Sequence, residues 1–286
     1  MKGEYSVRGL CALLGVSASG YYRWRHAKPS ARQQRDLSLS AQIAAVHRAS
    51  GRVYGVPRVV AELRAHGEPL SKRRCARLMR AQGLRGKKRH RRWPQTTNSR
   101  HGRPVAPNLL AERAAPTGPN QVWVTDITYV GTTEGWLYVA AILDLWSRRV
   151  VGWACAVTLH TFLVLAALEM AIARRRPGPG LIHHSDRGCQ YVDTTYRALL
   201  QEYGFLQSMS GAGNCYDNAA MESFWSSTKT EADLNTMIPS SRHEAELAVF
   251  GYIETFYNQA RRHSSLGYLS PVAFENQPNL KDIKAV

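Results

Sequence analysis

From Gln121 onward, the hydrophobic pattern restricts this part of the chain to one class of fold. Three strand-like runs come first and are separated by short turns: residues 122–130, 136–145 and 149–157. Helices and strands then alternate, as helix 161–174, a strand at Leu181-Ile182, helix 194–203, strand 205–209 and helix 218–229. This order predicts an α/β domain in which helices pack against a sheet.

Three carboxylates occupy positions of this domain where chemistry is common. Asp126 lies within the first strand-like run, Asp186 follows the buried strand at Leu181-Ile182, and Glu222 lies on the last helix. A carboxylate just beyond the carboxyl end of a buried strand is a usual catalytic position in an α/β sheet. We therefore take Asp126, Asp186 and Glu222 as the candidate catalytic residues.

The helix that carries Glu222 is predicted to pack against the sheet. Asn214 and Asp217 are both plausible caps for it. Asn218 and Lys229 share the helical face of Glu222, and an apolar stripe runs beside that face: Met221, Phe224 and Trp225. An acid on a strand end and an acid on a packed helix can thus point into one site.

Carboxylates in such an arrangement are ligands for hard divalent cations such as Mg²⁺ or Mn²⁺. Two ions about 3.5–4 Å apart can activate the attacking oxygen and stabilise the leaving oxygen of a phosphodiester. We expect Asp126, Asp186 and Glu222 to bind two such ions. The three acids alone are weak evidence, because residues 117–286 contain 16 Asp and Glu.

The segments around the acids carry a specific resemblance. They read WVTDITYV, LDLWSRRVVGW, HHSDRGCQY, SMSGAGNCYDNAAMESFWSSTKTE and YIETFYNQARRHSSLGYLSP. In this order they closely resemble the second-reading-frame (OrfB-type) catalytic subunit of bacterial insertion-sequence transposases. Thirty-five residues separate Asp186 from Glu222, as in the D,D(35)E pattern of retroviral-integrase-like transposases. The resemblance covers nearly the whole chain and implies a ribonuclease-H-like, integrase-type core, with which the predicted element order agrees.

The resemblance also implies a function. A transposase of this kind cuts the end of an insertion element to expose a 3′-OH, which then attacks a target phosphodiester without a covalent protein intermediate. The implied partners are the terminal inverted repeats, target DNA, further copies of the chain and an upstream-frame DNA-binding protein. Lys229 matches a position that contacts the DNA end, and the alternative is an ordinary surface lysine. Ala212 stands in a loop where related sequences tend to have a basic residue.

Charge is unevenly distributed along the chain. Residues 1–116 carry 25 Lys and Arg against 5 Asp and Glu, whereas residues 117–286 carry 13 against 16. Such an asymmetry indicates a basic nucleic-acid-binding half joined to a catalytic half. A helix after Ser71 concentrates the charge on one face, formed by Lys72, Arg73, Arg74, Arg77 and Arg80. This face is either a DNA contact or an ordinary solvated surface, and we favour DNA.

These patterns predict four regions. Residues 1–36 form an N-terminal helical hairpin, and residues 37–86, with a helix from about Ser38, form a helix-turn-helix-like DNA-binding region. A basic run and five prolines lie within residues 86–120. Residues 87–118 are therefore predicted to form a linker. Residues 119–286 form the catalytic core and a helical extension.

Several classes of protein are excluded. The five cysteines contain no C-x-x-C pair, which argues against a zinc ribbon or a disulfide framework and fits a reducing compartment. No signal peptide is apparent, and the apolar run 161–173 is too short to cross a bilayer. We expect a bacterial cytoplasmic, nucleoid-associated protein with no membrane partner.

Some assignments stay open at this stage. Asp144 is expected to serve a turn with Arg148 rather than catalysis, and Asp193 to cap a helix. His183 and His184 are either packed or face substrate, and the basic residues near Arg261 either contact DNA or close the core. A nuclease of the same fold and a non-catalytic DNA-binding regulator remain alternatives to a transposase.

Overall fold

The computed structural model describes residues 5–88, 105–111, 113–211 and 218–277. The helices before the sheet are α1 (Val7–Leu13), α2 (Ala18–Arg25), α3 (Ala31–Ala49), α4 (Val56–Ala65) and α5 (Lys72–Ala81). The elements that follow are β1 (Val122–Thr132), β2 (Gly135–Asp144), β3 (Val150–Ala156), α6 (Thr161–Arg175), β4 (Ile182–Ser185), α7 (Thr194–Glu202), β5 (Leu206–Met209), α8 (Ala219–Glu231), α9 (Arg242–Phe250) and α10 (Pro271–Glu275).

The sheet has the strand order β3-β2-β1-β4-β5, so β1 lies at its centre. β1 pairs with β2 and β2 with β3 in antiparallel fashion, whereas β4 is parallel to both β1 and β5. The meander and the alternating elements predicted from sequence are both present. The ribonuclease-H-like, integrase-type α/β core and the helical region before it are confirmed.

Apolar residues cover both faces of the sheet because successive side chains of a strand point in opposite directions. Val124 belongs to one buried cluster with Phe224 and Trp225 of α8. Trp123, its neighbour on β1, belongs to the other cluster with Leu168 of α6. The predicted apolar stripe of α8 therefore packs as expected, which fixes the helix against the sheet.

The helical region before the sheet has its own core, built from α3, α4 and α5 and including Ile43, Val59 and Leu78. Helix α3 begins at Ala31, earlier than the predicted start at Ser38, because Ser30 and Gln33 form a capping box. The predicted division between residues 36 and 37 therefore lies within α3. Ser71 caps α5 as predicted, by accepting a hydrogen bond from the Arg74 N–H.

The helical region packs against the C-terminal extension. The Tyr54 hydroxyl donates to the Ala260 carbonyl at 3.1 Å and accepts from the Arg262 N–H at 2.9 Å. The Arg262 guanidinium pairs with Glu62 of α4. In this extension, α9 is followed by a π-helix, Gly251–Tyr257.

The end of the predicted linker lies against the sheet edge. The Met209 N–H donates to the Pro107 carbonyl at 3.3 Å, and the Leu109 N–H donates to the Ser208 hydroxyl at 2.9 Å. Most of its basic run, from Arg89 to Arg92, lies outside the described residues. Within the described ranges, no helix is long and apolar enough to cross a membrane.

Candidate active site

Asp126 and Asp186 lie on neighbouring parallel strands. Val124 on β1 is paired with His184 on β4. Continued two residues further, this register places Asp186, just after the end of β4, beside Asp126 in the middle of β1. The Asp186 carboxylate accepts a hydrogen bond from the Gly188 N–H at 2.9 Å, which holds it at the start of the loop. The sheet therefore brings together two acids that are sixty positions apart in the sequence.

Glu222 comes to the same place from α8, which packs against β1. It lies in the first turn of the helix, where a carboxylate interacts favourably with the helix dipole. The N-cap residue of α8 is Asn218, whereas the predicted caps were Asn214 or Asp217. Those two residues, and Ala212 in the same loop, lie outside the described residues. Glu222 itself is exposed.

The electrostatics of Asp126 link all three acids. Burial raises its pKa well above the ordinary value, and the charges of Asp186 and Glu222 raise it further. A hydrogen bond from the Ile127 backbone N–H acts in the opposite direction and lowers the pKa. In the described part of the chain, however, no three His, Cys, Asp or Glu side chains already stand close enough together to hold one metal ion. The charges of the three acids thus act on one another, but the three side chains do not yet surround a single metal position.

This arrangement suits a divalent cation. Ionised carboxylates that repel one another are stabilised by a positive charge placed between them, and oxygen donors are what Mg²⁺ and Mn²⁺ prefer.

Lys229 is not a surface residue. Its side chain is 5% exposed, and its ammonium lies over the Tyr129 ring, 4.8 Å from the ring centroid. Burial lowers the pKa of Lys229 to about 8, while the nearby Asp126 charge favours the protonated form. The helical face predicted to carry Glu222 and Lys229 therefore does lie next to Asp126.

The two histidines before Asp186 are packed rather than facing substrate. His183 is buried against Tyr196, and burial lowers its pKa to about 3. The two ring nitrogens of His184 are 2.8 Å from the Ser208 hydroxyl and 3.1 Å from the Ser210 hydroxyl. His184 therefore connects β4 with the end of β5, at the base of the loop that leads to α8.

Two other acids have structural roles, as expected. Asp144 is fully buried, and its carboxylate accepts hydrogen bonds from the backbone N–H groups of Asn120 and Ser147 at 2.6 and 3.1 Å. Its turn involves Arg148 through the backbone, because the Arg148 N–H donates to the Asp144 carbonyl. Asp193 caps α7 by accepting from the Thr195 N–H.

The basic face of α5 is only partly free. Lys72, Arg73 and Arg80 are exposed and belong to no salt bridge of the described residues. Arg74 and Arg77 both pair with Asp36 of α3, at 2.8 and 2.6 Å. Sequence periodicity placed these five cations on one face. It could not show that Arg74 and Arg77 pair with an acid that lies 38 and 41 positions away from them, respectively.

The C-terminal basic residues close the core. Arg261 is 3% exposed and donates two hydrogen bonds to the Glu231 carboxylate at 2.6 and 2.7 Å. Arg262 pairs with the helical region, and His263 is buried beside Arg261. The packing of Arg261 and His263 supports the alternative that these residues close the core.

We expect Asp126→Asn to stabilise the protein when metal is chelated. The neutral amide ends the repulsion by Asp186 and Glu222, and relief of this kind typically adds about 0.5–2 kcal/mol to the unfolding free energy. Because the folded-state pKa of Asp126 is raised, the gain should grow as pH rises through the unfolded-state pKa. Thermal unfolding in EDTA at pH 4 and pH 8 measures it.

The same experiment includes a metal arm. Mg²⁺ should raise the melting temperature of the wild type more than that of Asp126→Asn, because a ligand stabilises only the form that binds it. A lower melting temperature for Asp126→Asn in EDTA would mean that the carboxylate is structural.

Comparison with known proteins adds the following findings. Residues 116–215 and 203–271 each match a family model described as an integrase core domain, and residues 33–92 match one described as an HTH-like domain. The chain is 47% identical over 268 residues to a 31 kDa protein of insertion element IS600 from Shigella sonnei, covering 94% of this chain and 98% of that protein. It is 42% identical over 278 residues to the transposase InsF of IS3A from Escherichia coli K12, covering 96% of both chains.

Among solved structures, the catalytic core domain of HTLV-2 integrase in complex with magnesium is similar to part of the chain. The match has a TM-score of 0.42 and 14% identity, and it covers 56% of this chain and 99% of that domain.

Proposed function

This chain belongs to the IS3 family of insertion-sequence transposases, with an integrase core and an HTH-like domain, and from that premise we propose how it acts on DNA. The proposed reaction is cleavage of the 3′ end of the element followed by transfer of that end to target DNA. Asp126, Asp186 and Glu222 are the proposed catalytic residues and cation ligands.

One observation carries this proposal. Asp126 and Asp186 follow the same register on adjacent strands, and the charge of Glu222 reaches Asp126 from α8. Asp126 experiences the two like charges of Asp186 and Glu222, an arrangement that costs stability and is typical of a functional site.

The proposed cofactor is Mg²⁺ or Mn²⁺, bound as two ions. When bound, such ions activate the attacking oxygen and stabilise the leaving oxygen of a phosphodiester. The chain contributes three acids held by three different elements, with Asp186 oriented by the Gly188 N–H. The Lys229 ammonium offsets part of the negative charge of Asp126.

The two steps use the same chemistry. In the first, a water oxygen forms a bond to phosphorus at the element end, and the P–O3′ bond breaks to leave a 3′-OH on the element. In the second, that 3′ oxygen forms a bond to a target phosphorus in line, and the target P–O3′ bond breaks. The first step hydrolyses one ester bond, the second exchanges one ester bond for another, and both leave the protein unmodified.

DNA contacts are proposed at two places. The α5 face would contact DNA through Lys72, Arg73 and Arg80, with Arg74 and Arg77 available once the Asp36 pairs open. Lys229 would contact a phosphate of the element end beside the acids once its ammonium leaves the Tyr129 ring. We also propose that several copies act together on the terminal inverted repeats, that an upstream-frame DNA-binding protein takes part, and that the four regions 1–36, 37–86, 87–118 and 119–286 divide this work.

The test uses labelled duplexes that carry the repeats flanking this reading frame, with the full chain, in Mg²⁺ and in EDTA. Joined strands that require the metal are the expected product. Cleavage without joining, even with the upstream-frame protein added, would instead support a nuclease of the same fold. Binding with no strand cleavage under either condition would support the non-catalytic regulator.

A further inference from the structure

A cavity of about 300 Å³ lies between α8 and the segment that follows the π-helix. From α8 it is lined by Ala220, Ser223 and Ser227, which share a helical face that does not include Glu222. The opposite wall is formed by residues 257–265, and Arg148 enters from the turn between β2 and β3. The cavity is therefore separate from the three acids but shares a helix with one of them.

The lining of this cavity is basic and hydroxyl-rich. Arg148, Arg261 and His263 contribute nitrogen groups and four serines contribute hydroxyls, and among the described residues no carboxylate lines the space. The nearby Glu231 carboxylate is already occupied by Arg261 and Arg58. The pKa of His263 falls to about 2, first because of burial and then because of the arginine charges around it. This is a site with a net positive field.

Arg148 is held there at a cost to the fold. Its backbone φ is +60°, a left-handed conformation that an ordinary residue adopts only under strain. Its side chain is half-buried and forms no salt bridge with any residue that the structure describes. The turn requires only the Arg148 backbone N–H, which a glycine or asparagine would supply equally well. The turn therefore does not explain why an arginine is present at this position. A bound anion would offset the free-energy cost of holding the half-buried guanidinium there.

We propose that this cavity binds a backbone phosphate of DNA, with Arg148 as its principal ligand. The proposal rests on the proposed function for the identity of the ligand. An α-helix is about 10 Å wide, so a phosphate bound across α8 from Glu222 would lie roughly 10 Å from that carboxylate. The site would hold the strand in position while the acids act on it.

The test compares the full-length wild type with Arg148→Gln and with Arg197→Gln as a matched control. Arg197 is an exposed arginine of α7 in no salt bridge of the described residues, so both changes remove one charge from the same core. Inorganic phosphate is the first probe, with chloride at equal ionic strength as its reference. The second probe is the salt dependence of duplex binding.

Phosphate should raise the melting temperature of the wild type and of Arg197→Gln but not of Arg148→Gln. Loss of one phosphate contact should also reduce the slope of log K against log salt by about 0.9 in Arg148→Gln. In buffer alone Arg148→Gln should melt at or above the wild-type temperature, because it removes an unpaired, half-buried cation.

Three results would overturn the proposal. An equal phosphate response in wild type and Arg148→Gln would mean that the cavity does not bind phosphate. A lost response with an unchanged salt slope would mean that it takes free phosphate rather than DNA. A lower melting temperature in buffer alone would mean that Arg148 stabilises the fold, and Arg148→Lys, which keeps the charge, would then restore it. The phosphate measurement requires no strand transfer. Failure of the phosphate site can therefore be distinguished from failure of the proposed function.

Discussion

Asp186→Asn is expected to abolish strand joining while DNA affinity stays unchanged. The amide keeps the shape of the side chain but loses the charge that would hold a cation beside Asp126. A bound metal supplies several kcal/mol of transition-state stabilisation, so the rate should fall by about 10³-fold or more. Joined product per unit time, measured with the flanking repeats in Mg²⁺, tests this directly.

The chain offers a matched control for this variant. Asp193→Asn removes the same charge seven residues further on, at the cap of α7, where Asn is as good a cap as Asp. It should join strands at the wild-type rate. Equal losses in the two variants would mean that overall charge, and not the position of Asp186, governs the reaction. A parallel loss of DNA affinity in Asp186→Asn would contradict the separation between the catalytic acids and the basic region.

Glu231→Gln is expected to lower the free energy of unfolding by about 3–5 kcal/mol, because it leaves a buried arginine without its counter-ion. Burial alone would raise the pKa of Glu231, but hydrogen bonds and charge from Arg261, and the charge of Arg58, hold it below the ordinary value. The Glu231 carboxylate also accepts from the Tyr252 hydroxyl at 2.9 Å. Urea unfolding at neutral pH measures the loss.

The location of Glu231 makes this variant informative for the whole chain. It ends α8, the helix of Glu222, and it pairs with Arg58 of α4 at 3.2 Å. Asp233→Asn is the control, since Asp233 joins the same two regions through Lys87 but is 47% exposed, and exposed pairs contribute only about 0–1 kcal/mol. A loss below 1 kcal/mol in Glu231→Gln would mean that Arg261 finds another partner.

The elements that were predicted well from the sequence are those whose apolar residues recur at a clear period. Strands β1 to β3 and helix α6 end within two residues of their predicted limits, because alternation and helical spacing record which side chains are buried. The late prediction for α3 overlooked Ser30 and Gln33, although this capping signal is present in the sequence. The π-helix after α9 could not be predicted, since its residues have the same apolar spacing as an α-helix.

By itself, the sequence determined the family, the fold class and which acids are candidates for chemistry, because local period and motif spacing are properties of the chain alone. Only the tertiary structure decided what the cations do. Arg74, Arg77, Arg261 and Arg262 look alike in a basic sequence, yet each has a carboxylate partner 30 to 200 positions away, whereas Arg148 has none among the described residues. Whether a charge is neutralised within the protein or left for a ligand depends on these long-range contacts, which folding creates and local sequence does not record.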